Sequence, residues 1–245
     1  MVGALASVAG MAAVAAAGYQ TMSPTGQWYG RTFAGLPPGA RTLALTYDDG
    51  PNDACTQRLL EVLAKHSVRA TFFMIGRFSQ QRPDLVEAVF RAGHAIGNHT
   101  FNHPNLIFAR AERTRQELTQ CQDVLREITG QNPRLFRPPW GARRPGTLRI
   151  VRDLGLNPIM WNVAGYDWSS PPADMIVSKV LGRIRGGDVI LLHDGSHSHM
   201  GADRLQTVLA TDRIIADCQL QGYQFKTLPE MIEGQSTDGE LSVAE

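Results

Sequence analysis

The stretch Thr42–Gly50 has the sequence TLALTYDDG, in which an apolar run, Thr42–Thr46, leads to two adjacent carboxylates. A short apolar run that ends at a turn signal predicts a strand buried on both faces. The stretch Asp188–Leu192 (DVILL) has the same character, and it also ends on titratable side chains. Both stretches therefore indicate strands of a helix-covered sheet whose ends carry chemistry.

Outward from these two strands, short apolar runs alternate with longer segments of helical periodicity. The predicted strands are Thr42–Thr46, Ala70–Ile75, Ala95–Gly97, Leu135–Arg137, Asn157–Asn162, Asp188–Leu192 and Tyr223–Thr227. The predicted helices are Thr56–His66, Pro83–Ala92, Ala111–Thr129, Gly146–Leu154, Ala173–Ile184 and Asp203–Gln221. Strands separated by helices predict a parallel sheet with right-handed crossovers. The number and spacing favour an α/β barrel one unit short of eight over an open doubly wound sheet.

The composition is that of a globular protein. The chain has 245 residues, 43% of them apolar and 19% charged, which suits one domain and argues against disorder. Lys plus Arg number 24 and Asp plus Glu 23, so charge gives no reason to expect a nucleic-acid partner. No glycine-rich nucleotide-binding motif follows a predicted strand. Cys55, Cys121 and Cys218 are far apart in the sequence and are expected to be small buried hydrophobes.

The N-terminal residues form a separate segment. Residues 1–21 are mostly apolar, and the first charged residue is Arg31. Three interpretations are open: a cleaved signal peptide, a weak membrane anchor, or a ragged end or packed helix. The first two place the protein outside the cytoplasm, in secreted, periplasmic or membrane-anchored form. We predict a linker over 22–40, the barrel over 41–233 and a polar tail over 234–245; nothing in the sequence indicates the oligomeric state.

Unusual polar clusters follow most of the predicted strands. They are Asp48-Asp49-Gly50, His99 with His103, Arg137-Pro138-Pro139-Trp140-Gly141, Asp167-Trp168 and His193-Asp194-Gly195. The carboxyl ends of barrel strands share one face, and active sites are built there. We therefore expect the five clusters to form one site.

The residue types indicate metal-assisted acid–base chemistry. The H-x-x-x-H spacing of His99 and His103 would place both rings on one side of a helical turn. With one carboxylate they form a donor set for zinc or another divalent first-row ion, while the other carboxylate stays free as a base. Arg137 can hold a carboxylate through its planar fork, and His193 suits a general acid or base. His197 and His199 are expected to be surface loop residues.

In this order the motifs TYDDG, HTFNH, RPPWG, DW and LLHDG resemble those of the NodB-homology polysaccharide deacetylases, carbohydrate esterase family 4. The resemblance covers about residues 40–230 and implies a distorted (β/α)7 barrel of one domain. It implies an enzyme that hydrolyses N-acetyl groups of N-acetylglucosamine-containing polymers, such as peptidoglycan, chitin-like chains or exopolysaccharide. The implied cofactor is a divalent metal, foremost Zn²⁺, with Co²⁺, Ni²⁺ or Mn²⁺ as alternatives.

The resemblance also implies a role for individual residues. Asp49, His99 and His103 resemble the metal ligands, Asp48 the general base and His193 the general acid. Arg137 would tether Asp48, and Asp167 would set the proton affinity of His193. The expected substrate contacts are Trp140, Trp168, Leu191, Tyr47 and Pro138. Tyr47 stands where the family commonly has Phe, and Ala164 where many members have an acidic residue.

Two rival functions use the same sequence features. One is another hydrolase of this architecture, either an O-acetyl esterase acting on xylan or an amide hydrolase. The other is a barrel that binds sugar without catalysis, which predicts the loss of a ligand or a catalytic carboxylate. The complete set of acidic and histidine residues favours an enzyme.

Overall fold

The computed structural model describes residue 11 and residues 14–241 of the chain. Residues 14–22 are helical and are called α1. Most of the predicted signal peptide or anchor, residues 1–10, 12 and 13, lies outside the described residues. No helix in the described part of the chain combines the length and the apolar character needed to cross a membrane.

A curled parallel sheet forms the centre of the molecule. Its strands are β1 (Thr42–Gly50), β2 (Thr71–Met74), β3 (Ala95–Asn98), β4 (Leu135–Phe136), β5 (Asn157–Pro158), β6 (Val163–Ala164), β7 (Val189–His193) and β8 (Gln224–Phe225). Their order is β5-β4-β3-β2-β1-β7-β6, and β8 pairs with the start of β1. All these strand pairs are parallel, so the predicted distorted (β/α)7 barrel is confirmed.

Helices cover the outside of this sheet. They are α2 (Thr56–Lys65), α3 (Gly76–Gln81), α4 (Pro83–Arg91), α5 (Ala111–Thr129), α6 (Pro145–Asp153), α7 (Ala173–Leu181), α8 (Leu205–Leu220) and α9 (Leu228–Leu241). Two 3₁₀ turns, Pro139–Gly141 and Asp167–Ser169, follow the carboxyl ends of β4 and β6. Helix α9 extends through much of the predicted tail over 234–245. Helix α3 was not predicted, because its sequence GRFSQQ contains a single large apolar residue.

The predicted fifth strand, Asn157–Asn162, is wrong as a single element. Only its first two residues, Asn157 and Pro158, belong to a strand, β5; β6 begins just after it at Val163, and β5 and β6 lie at opposite edges of the sheet. The chain crosses the open seam of the barrel between them. Phe33 fills this seam, since its N–H donates to the Pro158 carbonyl and its own carbonyl accepts from the Met160 N–H. The segment over 22–40, which we predicted to be a linker, is therefore joined to the barrel by backbone hydrogen bonds.

Strand β1 shows how the core positions the site. Successive side chains of a strand point to opposite faces. Leu43, Leu45 and Tyr47 are fully buried in the layer between sheet and helices. The residues that alternate with them face the barrel interior, and among these Asp48 stands at the open end. Cys55, Cys121 and Cys218 are all buried free thiols, as the sequence predicted.

Candidate active site

The carboxylate of Asp48 is held by a buried arginine from β4's end. Arg137 is 0% exposed, and its Nη1 donates to Asp48 Oδ1 over 2.7 Å and to Thr46 Oγ1 over 2.7 Å. Its Nη2 donates to the Met160 carbonyl, and its guanidinium lies over the Phe73 ring. Burial lowers the pKa of Arg137, and the charge of Asp48 opposes that change. The hydrogen bond therefore fixes Asp48 in one orientation, and the two opposite buried charges stabilise each other.

Asp49, His99 and His103 form a group that could hold a metal ion. One ligand atom from each lies within 4.8 Å of the others, and all three residues are buried. Asp49 Oδ1 is 3.6 Å from His99 Nε2 and 3.3 Å from His103 Nε2, and this buried oxygen has no hydrogen-bond partner. His99 Nδ1 contacts the Arg137 carbonyl at 2.8 Å, which leaves Nε2 directed at the triad. An orphaned carboxylate oxygen facing two imidazoles fits a divalent cation.

The loop that carries the two histidines is not the helical turn that their spacing suggested. Thr100 and His103 have φ angles of 67° and 60°, in the left-handed region. The loop is held by Glu117 of α5, which is 0% exposed. The Glu117 carboxylate accepts from the Asn102 N–H and side-chain amide, and it pairs with Arg113. Local strain maintained by a buried partner, rather than helix periodicity, brings the imidazoles together.

His193 is paired with Asp167. His193 Nδ1 lies 2.8 Å from Asp167 Oδ1, and the His193 N–H and the Thr207 hydroxyl both donate to Asp167 Oδ2. Burial lowers the pKa of His193, but the charge and hydrogen bond of Asp167, with the charges of Asp49 and Asp48, outweigh burial and raise it to about 9. Since Nδ1 faces Asp167, the Nε2 side of the ring is the one available to a ligand.

The adjacent acidic residue, Asp194, has a different partner. Thr56 Oγ1 donates to Asp194 Oδ2 over 2.6 Å, so this carboxylate ties the strand end to α2.

Asp48 on β1 lies in register with His193 on β7. The two candidate proton carriers therefore stand at paired positions of neighbouring strands.

These groups open into one cleft of about 480 Å³. Its lining includes Asp48, Asp49, His99, His103, Trp140, Trp168, Leu191 and His193. Trp140 is 46% exposed and Trp168 is 50% exposed, so both offer aromatic surface to a ligand. Among the predicted substrate contacts, Trp140, Trp168 and Leu191 are thus placed in the cleft.

Tyr47 and Pro138 do not line this cleft. The Tyr47 ring is 0% exposed, stacks on Phe72 and bonds the Thr211 hydroxyl of α8 over 3.0 Å. It points away from the site because it alternates with Asp48 along β1. Pro138 is buried in the backbone of the loop before Trp140. The prediction that Tyr47 and Pro138 contact substrate is therefore corrected.

His197 is exposed in a loop, as the sequence predicted, and it also lies beside Asp49 and His103. Its N–H donates to Asp49 Oδ2 over 3.2 Å. Its ring stacks on His103 with centroids 4.7 Å apart and packs edge-on against Trp140 at 5.3 Å. His199 is exposed and contacts Ser198. The alternation of Ser and His in this loop was the only available signal, and it did not distinguish the two histidines.

Arg204 is a second residue that sequence reasoning missed. It is 7% exposed and precedes α8. Its guanidinium donates to the carbonyls of Gly195, Asp167 and Trp168. Arg204 therefore joins the loop after His193 to the turn that carries Asp167. No local sequence signal distinguishes this arginine from a surface one, because its partners are distant in the chain.

A tethered carboxylate, an aspartate-paired histidine and a donor set for a divalent ion meet at the carboxyl ends of barrel strands. This combination defines a metal-assisted hydrolase. The family model described as polysaccharide deacetylase matches residues 35–159. The chain belongs to this family, the NodB-homology deacetylases of carbohydrate esterase family 4.

Relatives and solved structures agree with this assignment. The chain is 36% identical to a chitooligosaccharide deacetylase of Azorhizobium caulinodans, over 77% of this chain and 93% of that protein. A crystal structure of a peptidoglycan N-acetylglucosamine deacetylase is 34% identical, with a TM-score of 0.77, over 82% of this chain and 92% of that one. A carbohydrate esterase family 4 pseudoenzyme from Bacillus anthracis is 28% identical, with a TM-score of 0.75, over 82% and 68% of the two chains.

Proposed function

We propose that the protein removes N-acetyl groups from N-acetylglucosamine residues of a polymer such as peptidoglycan, a chitin-like chain or an exopolysaccharide. One observation carries the proposal: Asp48 and His193, each held by a buried partner, stand at paired positions of neighbouring strands, in the same cleft as three residues that could hold a metal ion. The relatives named for chitooligosaccharide and peptidoglycan substrates support the substrate class. In line with the apolar N-terminal residues, we propose an extracytoplasmic location.

Asp49, His99 and His103 would hold a divalent ion, and we propose Zn²⁺ because two imidazoles and one carboxylate suit it. When bound, this ion supplies Lewis-acid polarisation of the acetyl carbonyl. Asp48 accepts a proton from the attacking water, and Arg137 holds its carboxylate in place through a 2.7 Å hydrogen bond. The N–H of Trp140 donates to the oxygen that becomes negative during attack.

His193 donates the proton on its Nε2 to the leaving nitrogen. An amine is a poor leaving group until it carries a proton, whereas an alkoxide leaving from an ester needs this help less. The pKa of about 9 keeps His193 protonated at neutral pH, so it can supply the proton that amide hydrolysis requires. Trp168 and Leu191 form apolar walls for the acetyl methyl group. The alternative, an O-acetyl esterase, uses the same groups with less dependence on His193.

Acetate release tests the proposal. Protein stripped of metal and reloaded with Zn²⁺ is expected to release acetate from N-acetylglucosamine oligomers, and stripped protein is expected to release none. A coupled acetate assay measures both. Release from acetylated xylan or an aryl acetate, but not from the oligomers, would instead support the esterase.

Replacing Asp167 by asparagine tests the acid. The protonated form of His193 is active below its pKa, so the wild-type rate falls as pH rises through about 9. Without the Asp167 charge, burial lowers that pKa, and the alkaline limb of kcat/KM moves to lower pH by roughly two units. Asp174→Asn, at an exposed position, is the matched control. An unchanged alkaline limb in Asp167→Asn would assign the proton donor elsewhere.

A further inference from the structure

Residues 20–29, here called the strap, run from the end of α1 along the loop that carries Trp140. Their position is set by Arg143, which is 1% exposed. Arg143 Nη2 donates to the carbonyls of Ser23 over 2.7 Å and Gly26 over 2.6 Å. Its N–H donates to the Thr21 carbonyl over 3.2 Å. A buried arginine that binds two strap carbonyls through its guanidinium and a third through its backbone N–H is a specific fixing point, comparable to a side chain capping a turn.

The same arginine connects the strap to the active-site loop. Arg143 Nη1 donates to the Gly141 carbonyl over 3.0 Å, one residue after Trp140. A second contact is internal to the strap and α1, since the Tyr29 hydroxyl donates to the Ala17 carbonyl and contacts Thr21 Oγ1. The strap is thus built as a closed turn against the loop that borders the cleft.

One strap side chain reaches the cleft itself. Met22 lines the same cavity as Asp48 and the metal donors, together with Gly141 and Trp161. It is 48% exposed, although the segment on either side is hydrogen-bonded in place. A methionine presented at the edge of a largely apolar cleft offers an adaptable surface to a ligand.

We propose that the strap is a wall of the substrate cleft and that Met22 contacts the apolar face of a sugar ring next to the acetylated residue. This inference rests on the proposed function, because it assigns one part of the polymer to a place in the same cleft. Met22 would raise affinity for oligomers without taking part in the chemistry. A strap that only covers Arg143 would instead affect stability and leave substrate affinity unchanged.

The test compares Met22→Ala with Met175→Ala, a matched control at an exposed position on α7. We expect Met22→Ala to raise KM for a tetramer of N-acetylglucosamine by about three- to tenfold with little change in kcat. Met22→Leu keeps an apolar contact and is expected to stay near the wild-type KM. Calorimetric titration of the tetramer into Asp48→Asn and into Asp48→Asn with Met22→Ala should show the same ratio of Kd values.

Arg143→Gln provides the second arm. Loss of the buried charge should accelerate amide hydrogen exchange over residues 20–29 and raise the KM for the tetramer as Met22→Ala does. Unchanged KM and Kd in Met22→Ala would overturn the proposal that Met22 contacts the substrate. Faster exchange in Arg143→Gln with unchanged KM would reduce the strap to a structural cover.

Failure of the proposed function has a different signature. Wild-type protein with metal would then release no acetate from the tetramer, whatever residue occupies position 22. In that case, the position of the strap at the cleft is tested with an aryl acetate as substrate. The Met22→Trp variant should hinder access of this substrate to the cleft and lower kcat/KM. Equal kcat/KM for wild type and Met22→Trp would overturn it there as well.

Discussion

Asp48→Asn is expected to lower kcat by about three orders of magnitude or more while the protein still binds its metal. Asparagine retains an oxygen that can accept from Arg137, but it cannot take a proton from water. Since Asp49, His99 and His103 are unchanged, the metal content should stay at the wild-type value. Acetate release and elemental analysis of the same preparation measure the two properties.

The control for this variant must separate chemistry from stability. Asp48→Asn leaves Arg137 buried without an opposing charge, so its Tm is expected to fall. Activity is therefore measured well below that Tm, and Asp123→Asn on the exposed side of α5 serves as the matched replacement. A turnover close to wild type in folded Asp48→Asn would remove Asp48 from the role of base.

His99→Ala and His103→Ala should show the opposite pattern, in which metal and activity are lost together. Each replacement removes one of the three proposed protein donors, and a two-donor site of this kind holds a divalent ion far more weakly. Burial, together with the charges of His99, His197 and His193, lowers the pKa of His103, so its neutral form is available for ligation. The loss should be seen as absence of metal after gel filtration.

His199→Ala is the control for these two variants, because His199 is exposed in a nearby loop. It should keep both metal and turnover. Stoichiometric metal in both His99→Ala and His103→Ala would show that the donor set lies elsewhere. Excess Zn²⁺ in the assay is expected to restore part of the activity if weak binding is the cause.

Much of the fold followed from local signals. Buried strands such as Asp188–Leu192 are short apolar runs, and long helices such as Ala111–Thr129 carry a clear period and a terminal glycine. The clusters that form the site could be grouped from the sequence because parallel strands direct their carboxyl ends to one face. That argument needs no knowledge of side-chain contacts.

What the sequence did not reveal depends on contacts between distant residues. The end of β5 after Pro158, and the crossing of the chain to β6 at the opposite sheet edge, leave no mark on the apolar pattern of Asn157–Asn162. The positions of His197 and Arg204 depend on loops that only the folded chain brings together. Tyr47 was assigned wrongly for another reason. It adjoins Asp48 in the sequence, but side chains alternate along a strand, so its ring points away from the cleft.

Overall similarity of fold does not by itself establish catalysis in this family. The Bacillus anthracis pseudoenzyme matches this chain with a TM-score of 0.75, close to the 0.77 of the peptidoglycan deacetylase. The distinction lies in side chains, and this chain has Asp48, Asp49, His99, His103 and His193 at the site. A sugar-binding barrel without chemistry is therefore disfavoured on the residues rather than on the fold.

The seam between β5 and β6 has a consequence for anyone who shortens this protein. A chain that begins at Thr42 would lack Phe33 and leave the backbone around Pro158 and Met160 without its hydrogen-bonding partners. Open strand edges recruit strands from other molecules and lead to aggregation. Soluble recombinant preparations should thus retain residues 30–41, together with the strap that Arg143 holds, even when the apolar residues before the strap are removed.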